Sequence, residues 1–262
     1  MIAARSHLFT LSAVLWTAVM CALFLPLLVF PRRAMQVAAK LWAGGILVLA
    51  RVVCGLGSSV RGRDNLPSGP VVIASKHQSM WETLIFHLLC IDPVYVLKKE
   101  LLSLPFVGWY LRKAGNVAID RSAGFRALKA MLPAVESRLK EGAQIIVFPE
   151  GTRGAPGSRL PYHPGIAAIY TRAGVPIVPV ALNSGLFWGR GRILRCPGVI
   201  TIEFLPPLPS GLDRSDFLRE LQTQIEQATD RLIKEADPDA FKPPAASSNE
   251  TDALGTTSIH RR

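Results

Sequence analysis

The sequence predicts an α/β fold, in which a central, mostly parallel or mixed sheet is flanked by helices and preceded by an N-terminal membrane-associated two-helix segment. Three observations carry this expectation. From residue 70 onward, short β-branched runs alternate with stretches of helical periodicity. Residues 8–30 hold no charged side chain over 23 positions. The 262 residues also combine 49% hydrophobic content with a formal net charge of +11. That pairing excludes a disordered basic tail, which lacks the apolar content for a core. Four scattered cysteines and no glycine period exclude disulfide-framework and collagen-like chains.

The N-terminal segment comes first. A spanning helix needs about 20 apolar residues, so 8–30 is long enough to cross a bilayer. Its length exceeds the ~7–15 residues usual in a signal peptide. It ends in Phe30-Pro31-Arg32-Arg33 rather than a small-residue cleavage site, and reads as an anchor. Whether it crosses the bilayer or folds back as a hairpin is open at this level. The stretch 34–57 is apolar but carries Lys40 and Arg51. Eleven helical residues return to within about 20° of the starting direction, so both charges share one face. The expectation is an amphipathic helix lying in the interface. Arg32, Arg33, Lys40, Arg51, Arg61 and Arg63 follow the first segment, whereas Arg5 alone precedes it. By the positive-inside rule the body lies on the cytoplasmic side of an inner or plasma membrane. The expected organisation is an anchor over 1–58, a body over 59–237 and a small, polar, Pro-containing disordered tail over 238–262.

Within the body, strands are expected at 70–75, 93–97, 116–119, 144–148, 176–182 and 198–204, and helices at 79–90, 123–140, 164–173 and 215–236. In the last, Phe217, Leu221, Ile225, Ala228 and Leu232 form an apolar stripe. Pro133 should kink or restart its helix. Two prolines in Val175-Pro176-Ile177-Val178-Pro179-Val180 predict an edge strand or a site-lining one, because proline donates nothing to a ladder. Cys21, Cys54, Cys90 and Cys196 read as buried reduced thiols.

Two motifs directly follow apolar strands. His77-Gln78-Ser79-Met80-Trp81-Glu82 comes after VVIAS. In one continuous helix a five-residue step leaves His77 and Glu82 about 140° apart. They meet only if His77 lies on the strand-to-helix loop and Glu82 in the first turn. Ser79 as N-cap with Glu82 three residues on is a capping box that supplies this geometry. The plain alternative is a capped helix and nothing more. The functional reading is a general base with its orienting carboxylate. Phe148-Pro149-Glu150-Gly151-Thr152-Arg153 follows IIVF. There Gly151 permits close backbone approach, and Arg153 offers a fork of donors to a phosphate. A third element, Asn116-Val117-Ala118-Ile119-Asp120-Arg121, ends a short strand in an acid–base pair.

Taken in this order, the motifs over about residues 60–210 resemble the glycerolipid acyltransferase family, specifically the 1-acylglycerol-3-phosphate acyltransferases. The usual first motif of that family ends in Asp; here Glu82 keeps the carboxylate. The resemblance implies transfer of a fatty acyl group from acyl-CoA or acyl carrier protein to the sn-2 hydroxyl of lysophosphatidic acid, giving phosphatidic acid. It implies His77 as base, Glu82 as its positioning acid, and no cofactor or metal. Arg121 and Arg153 would hold the substrate phosphate, Glu150, Gly151 and Thr152 would shape the pocket, and Lys98 would face the oxyanion. No Gly-x-Ser-x-Gly elbow occurs, so direct attack on the thioester is expected rather than a serine acyl-enzyme.

Charge distribution bears on the partners. Residues 1–180 hold 20 basic and 8 acidic groups, and 181–262 hold 10 and 11. The excess therefore sits beside the apolar segments and the motifs. This suits an anionic bilayer and an anionic substrate. Nucleic acid is disfavoured, because the cations do not cluster with interleaved aromatics. Another acceptor such as lyso-ornithine lipid is the alternative within the enzyme class. Outside it stands a non-catalytic membrane-surface binding protein.

Overall fold

The β-branched runs of the body assemble into one seven-stranded sheet in the order β1-β7-β6-β2-β5-β3-β4. The computed structural model describes residues 1–120, 123–191 and 193–236. Arg121 and the expected tail lie outside the described residues. The strands are β1 (Leu56–Arg61), β2 (Val71–Ser75), β3 (Pro93–Lys98), β4 (Val117–Ile119), β5 (Gln144–Val147), β6 (Ile177–Leu182) and β7 (Gly198–Phe204). Neighbours among β2 to β6 pair in parallel, for example Ile73 with Ile146 and with Val178. β7 runs antiparallel to β6 and parallel to β1. The carboxyl ends of β2 to β6 therefore share one edge.

Alternation along each strand divides the core. Val71, Ile73, Tyr95, Ile146 and Val178 face one side, with Ala43, Ile46 and Ala50 of α2 (Arg32–Cys54) and Trp81, Leu84 and Ile85 of α3 (Trp81–Leu89). Val72, Ala74, Val94 and Ile145 face the other. There they meet α5 (Phe125–Lys140), α6 (Gly165–Ala173) and the stripe of α8 (Arg214–Ala236) formed by Phe217, Leu221 and Ile225. This two-sided burial accounts for the near-continuous apolar runs of the parallel strands.

The first apolar segment forms α1 (Ile2–Phe24), then a tight 3-10 turn at Leu25–Val29, and folds back along α2. The result is a helix hairpin. Close packing is set by Gly45, where any Cβ would fall 2.3 Å from the Trp16 ring. Trp16 Nε1 donates to the Trp42 carbonyl and Trp42 Nε1 to Thr17 Oγ1, at 3.0 Å each. The open end of the hairpin is tied to the body. Ser6 Oγ accepts from the Arg195 amide at 2.9 Å, and Phe9 meets Trp188 edge to face. The expected interfacial helix 34–57 is thus more than that. One face, Met35, Ala38, Ala43, Ile46, Ala50 and Cys54, is buried against the body, while Val37, Leu41, Val48 and Val52 remain exposed.

Two expectations about proline are narrowed. Of the edge and site-lining alternatives the edge is excluded, because β6 is interior, hydrogen-bonded to β2 and β7; its carboxyl end leads to Ser184, which bonds Glu82. Its tolerance has a local cause. The antiparallel ladder to β7 ends at Val180–Phe204, and Pro179 still accepts from the Leu205 amide at 2.9 Å. The missing donor falls just past the last ladder pair, where the chain after β7 still bonds β6 through the Leu205 and Leu208 amides. Likewise α5 does not restart at Pro133 but runs through it as one helix. Pro133 is exposed, so water can serve the carbonyl it leaves unpaired.

Candidate active site

β2 ends in Ser75, and the next two residues diverge. Lys76 turns inward and His77 outward, with its side chain 16% exposed against 1% for Lys76. Glu82, in the first turn of α3, is fully buried. Its Oε1 meets His77 Nδ1 at 2.9 Å and accepts the backbone N–H groups of Gln78 and Ser79 at 2.6 Å each. Its Oε2 accepts from Ser184 Oγ at 2.9 Å. The cap and the positioning acid are therefore one carboxylate. The cap differs in detail from the expected box, since Ser79 Oγ accepts from the Trp81 amide rather than from that of Glu82. Because Glu82 Oε1 already accepts two amide protons, the matching tautomer puts the third proton on Nδ1. Nε2 is then unprotonated, and no described residue bonds it. His77 also stacks on Phe148, ring centroids 4.0 Å apart and planes at 19°.

The loop after β5 lies beside this pair. His77 is held through its backbone at both ends, its N–H donating to Glu150 Oε2 at 3.1 Å and its carbonyl accepting from Gly154 at 2.8 Å. Gly151 stands at φ +65°, the left-handed conformation that favours glycine. Thr152 is exposed, and Arg153 is half-buried with no described residue bonded to its guanidinium. Arg190, from the segment after α7 (Ser184–Phe187), donates to Thr152 Oγ1 at 3.1 Å and to the Arg153 carbonyl at 3.2 Å. Lys98 is exposed at the carboxyl end of β3, on the same sheet edge. Arg121, expected in the acid–base pair that ends the strand 116–119, is outside the described residues.

Glu150 does not face outward with its neighbours. Its Oε1 meets Lys76 Nζ at 2.6 Å, and the same ammonium meets both carboxylate oxygens of Glu226 at 2.7 and 2.9 Å. Lys76 also donates to the Ser158 carbonyl at 3.2 Å, and Tyr162 donates to Glu226 Oε1 at 3.2 Å. Burial pushes the Glu150 carboxyl above its ordinary range, against the pull of Lys76 in the other direction. Burial likewise raises the Tyr162 hydroxyl, reinforced by the Glu226 charge. The network fastens the end of β2, the loop after β5 and α8 beneath His77.

Lys76, Ser184, Glu226 and Arg190 escaped the sequence reading. Two of them left a trace. A lysine directly after an apolar strand is unusual enough to demand a partner. Glu226 adjoins the apolar stripe of α8, on a row with Thr229 that is also buried.

The arrangement sets an imidazole oriented by a buried carboxylate and a half-buried guanidinium side by side at the carboxyl edge of the sheet. That edge is where open α/β sheets place their sites. Comparison with known proteins bears on the family. The family model described as Acyltransferase matches residues 57–183. A 1-acyl-sn-glycerol-3-phosphate acyltransferase of Pseudomonas aeruginosa is 36% identical over 197 residues, 75% of this chain and 77% of that protein. One of the same description from Limnanthes douglasii is 29% identical over 166 residues, 63% of this chain and 58% of that protein. The crystal structure of the 1-acyl-sn-glycerophosphate acyltransferase of Thermotoga maritima shares the fold, with a TM-score of 0.70 at 22% identity, covering 88% of this chain and 99% of that one. On its sequence likeness to these enzymes, the chain belongs to the acyltransferase family.

Proposed function

We propose that the chain is a 1-acylglycerol-3-phosphate O-acyltransferase, which moves a fatty acyl group from a thioester donor to the sn-2 hydroxyl of lysophosphatidic acid and forms phosphatidic acid. The observation that carries the mechanism is the 2.9 Å contact of His77 Nδ1 with a fully buried Glu82. It leaves Nε2 as the base. Nε2 takes the hydroxyl proton as the oxygen attacks the thioester carbonyl. Glu82 then faces the imidazolium that forms. As the tetrahedral intermediate collapses, the C–S bond breaks and the leaving thiolate takes the proton from His77. No group on the protein is acylated. Arg153, and Arg121 with it, hold the acceptor phosphate, for which a forked guanidinium is well shaped. Lys98 faces the oxyanion. Gly151 and Thr152 shape the rim, and Glu150 acts from beneath by holding His77 in place.

Two apolar N-terminal helices support membrane association, where both the acceptor and the product reside. The cations that follow α1 favour the cytoplasmic side of the inner or plasma membrane. The donor is acyl-CoA or acyl carrier protein. The test is acyl transfer by membranes containing the protein, with lysophosphatidic acid compared against neutral and zwitterionic lysolipids and with each donor. Phosphatidic acid should form fastest. Equal rates with acceptors lacking a phosphomonoester would refute the assignment of the acceptor.

A further inference from the structure

The segment between β3 and β4 has a surface that the reaction does not use. It comprises a 3-10 turn at Lys99–Ser103 and α4 (Val107–Lys113). Within nine residues it exposes Leu101, Leu104, Phe106, Val107 and Trp109, each by 37–49%. Scattered exposed apolar residues are ordinary, but a contiguous group is not. This group is also held out by its backbone. Phe106 is the only non-glycine at positive φ among the described residues, at +59°. A bulky side chain there is strained, and persists only where its surroundings impose it. The turn is locked on itself at Gly108, where any Cβ would lie 2.2 Å from the Leu102 carbonyl oxygen. The Phe106 and Trp109 rings then meet edge to face, with centroids 5.2 Å apart. The segment is a firm wedge with aromatic tips.

Its surroundings indicate what covers it. Residues 98–113 carry Lys98, Lys99, Arg112 and Lys113 against Glu100 alone. Aromatic tips flanked in sequence by cations, of which Lys99 also meets Asp120 at 3.5 Å, match an anionic lipid surface. The wedge also continues the hairpin. Tyr110 donates to the Cys21 carbonyl, and Ala114 packs with Met35 and Ala38 beside Phe24, Leu27 and Leu28. Exposed Leu25, Val29 and Phe30 of the hairpin turn extend the same apolar surface. At its other end the wedge begins at the carboxyl edge of the sheet, where His77 lies.

We propose that Leu101–Trp109 is a second bilayer-inserting element, which extends the hairpin's apolar surface toward the active-site edge and seats that edge on an anionic membrane. A contact that reaches from the hairpin turn to the sheet edge fixes the tilt of the body where the hairpin alone leaves it free to rock. The proposal rests on the acceptor being a membrane lysolipid. The test uses full-length protein in vesicles of phosphatidylcholine and phosphatidylglycerol, comparing Phe106→Gly/Trp109→Gln with the unaltered chain. Glycine carries no Cβ to strain at the positive φ of position 106 and Gln is a good helix former, so thermal unfolding in detergent should not fall. Transfer to lysophosphatidic acid presented in the vesicle should fall about tenfold or more, with transfer to a water-soluble short-chain analogue unchanged. Equal losses with both acceptors would place the wedge in the reacting site, and no loss with either would place it outside the membrane; both overturn the proposal. A second readout does not depend on turnover. Brominated phosphatidylcholine should quench the fluorescence of Trp109, taken as the difference between the unaltered chain and Trp109→Phe. An unquenched Trp109 overturns the proposal even in an active enzyme. A quenched Trp109 in a chain inactive on both acceptors supports it while refuting the assigned reaction.

Discussion

Replacing Glu82 by Gln separates the two tasks of that carboxylate. Oε1 takes the protons of His77 Nδ1, Gln78 N and Ser79 N, and Oε2 takes that of Ser184 Oγ. A glutamine fills the same volume. Its carbonyl can keep all three donors, and its NH2 group can donate to the Ser184 hydroxyl, which turns from donor to acceptor. Stability should therefore fall only by the difference between charge-assisted and neutral hydrogen bonds, about 1–2 kcal/mol. The reaction loses more. The imidazolium formed on His77 now faces a neutral amide. Two unit charges ~4 Å apart at an effective dielectric of about 20 interact by about 4 kcal/mol, which bounds the loss from above. The hydrogen-bond difference bounds it from below at about 1.5 kcal/mol, so kcat should fall by ~10- to ~1,000-fold. Steady-state transfer to lysophosphatidic acid measures kcat, and thermal unfolding in detergent measures the fold. Glu82→Ala is the contrast, because it strands three N–H donors in a buried site at ~1–3 kcal/mol each and should not fold stably. Native kcat in Glu82→Gln would reduce the residue to a helix cap and refute the reasoning.

Other consequences are equally direct. His77→Ala should abolish transfer while leaving thermal unfolding and membrane association unchanged; turnover at the native rate would remove the base from the mechanism. Arg153→Ala should raise KM for lysophosphatidic acid by about 10- to 100-fold, the value of a charge-assisted phosphate contact, and change kcat less. Lys76→Met leaves Glu150 and Glu226 buried without their shared cation and should cost about 3–5 kcal/mol in detergent unfolding. Glu226→Gln, which leaves Lys76 with one carboxylate, should cost less; the reverse order would contradict the network. His87, in the last turn of α3, is lowered by burial from 6.5 to about 4. Between those values the unfolded chain binds a proton that the folded chain refuses, so stability falls as pH drops from 6.5 to 4. The loss approaches roughly 3 to 4 kcal/mol, the 2.5-unit gap at 1.36 kcal/mol each. His87→Phe should flatten that slope.

What could be read in advance was what is local. The His77–Glu82 geometry was legible because a capping box places a carboxylate three residues after the cap, and six residues suffice to describe the pair. The strands from β2 to β7 announced themselves by apolar runs that burial on both faces requires. β1 did not. Its residues, LGSSVR, are small and polar, and they are a strand only because β7, more than a hundred residues away in sequence, pairs with them. Likewise Lys76 is held by Glu150 and Glu226, 74 and 150 residues distant, and Glu82 by Ser184, 102 residues distant. The edge alternative for Pro179 fails for the same reason. Proline's missing donor was read correctly, but where the neighbouring strand stops is a property of the sheet and not of the strand.

The two-faced helix α2 sets a limit on how this enzyme can be handled. Its Ala43, Ile46, Ala50 and Cys54 side chains complete the same core as Val71 and Ile73, so the helix cannot be cut away without opening the sheet to water. Removing the hairpin to obtain a soluble catalytic fragment should give insoluble material instead. The route to a water-soluble form is repainting rather than amputation: Leu8, Leu11, Leu15 and Val19 of α1, with Val37, Leu41, Val48 and Val52 of α2, all point away from the body and can be made polar in place.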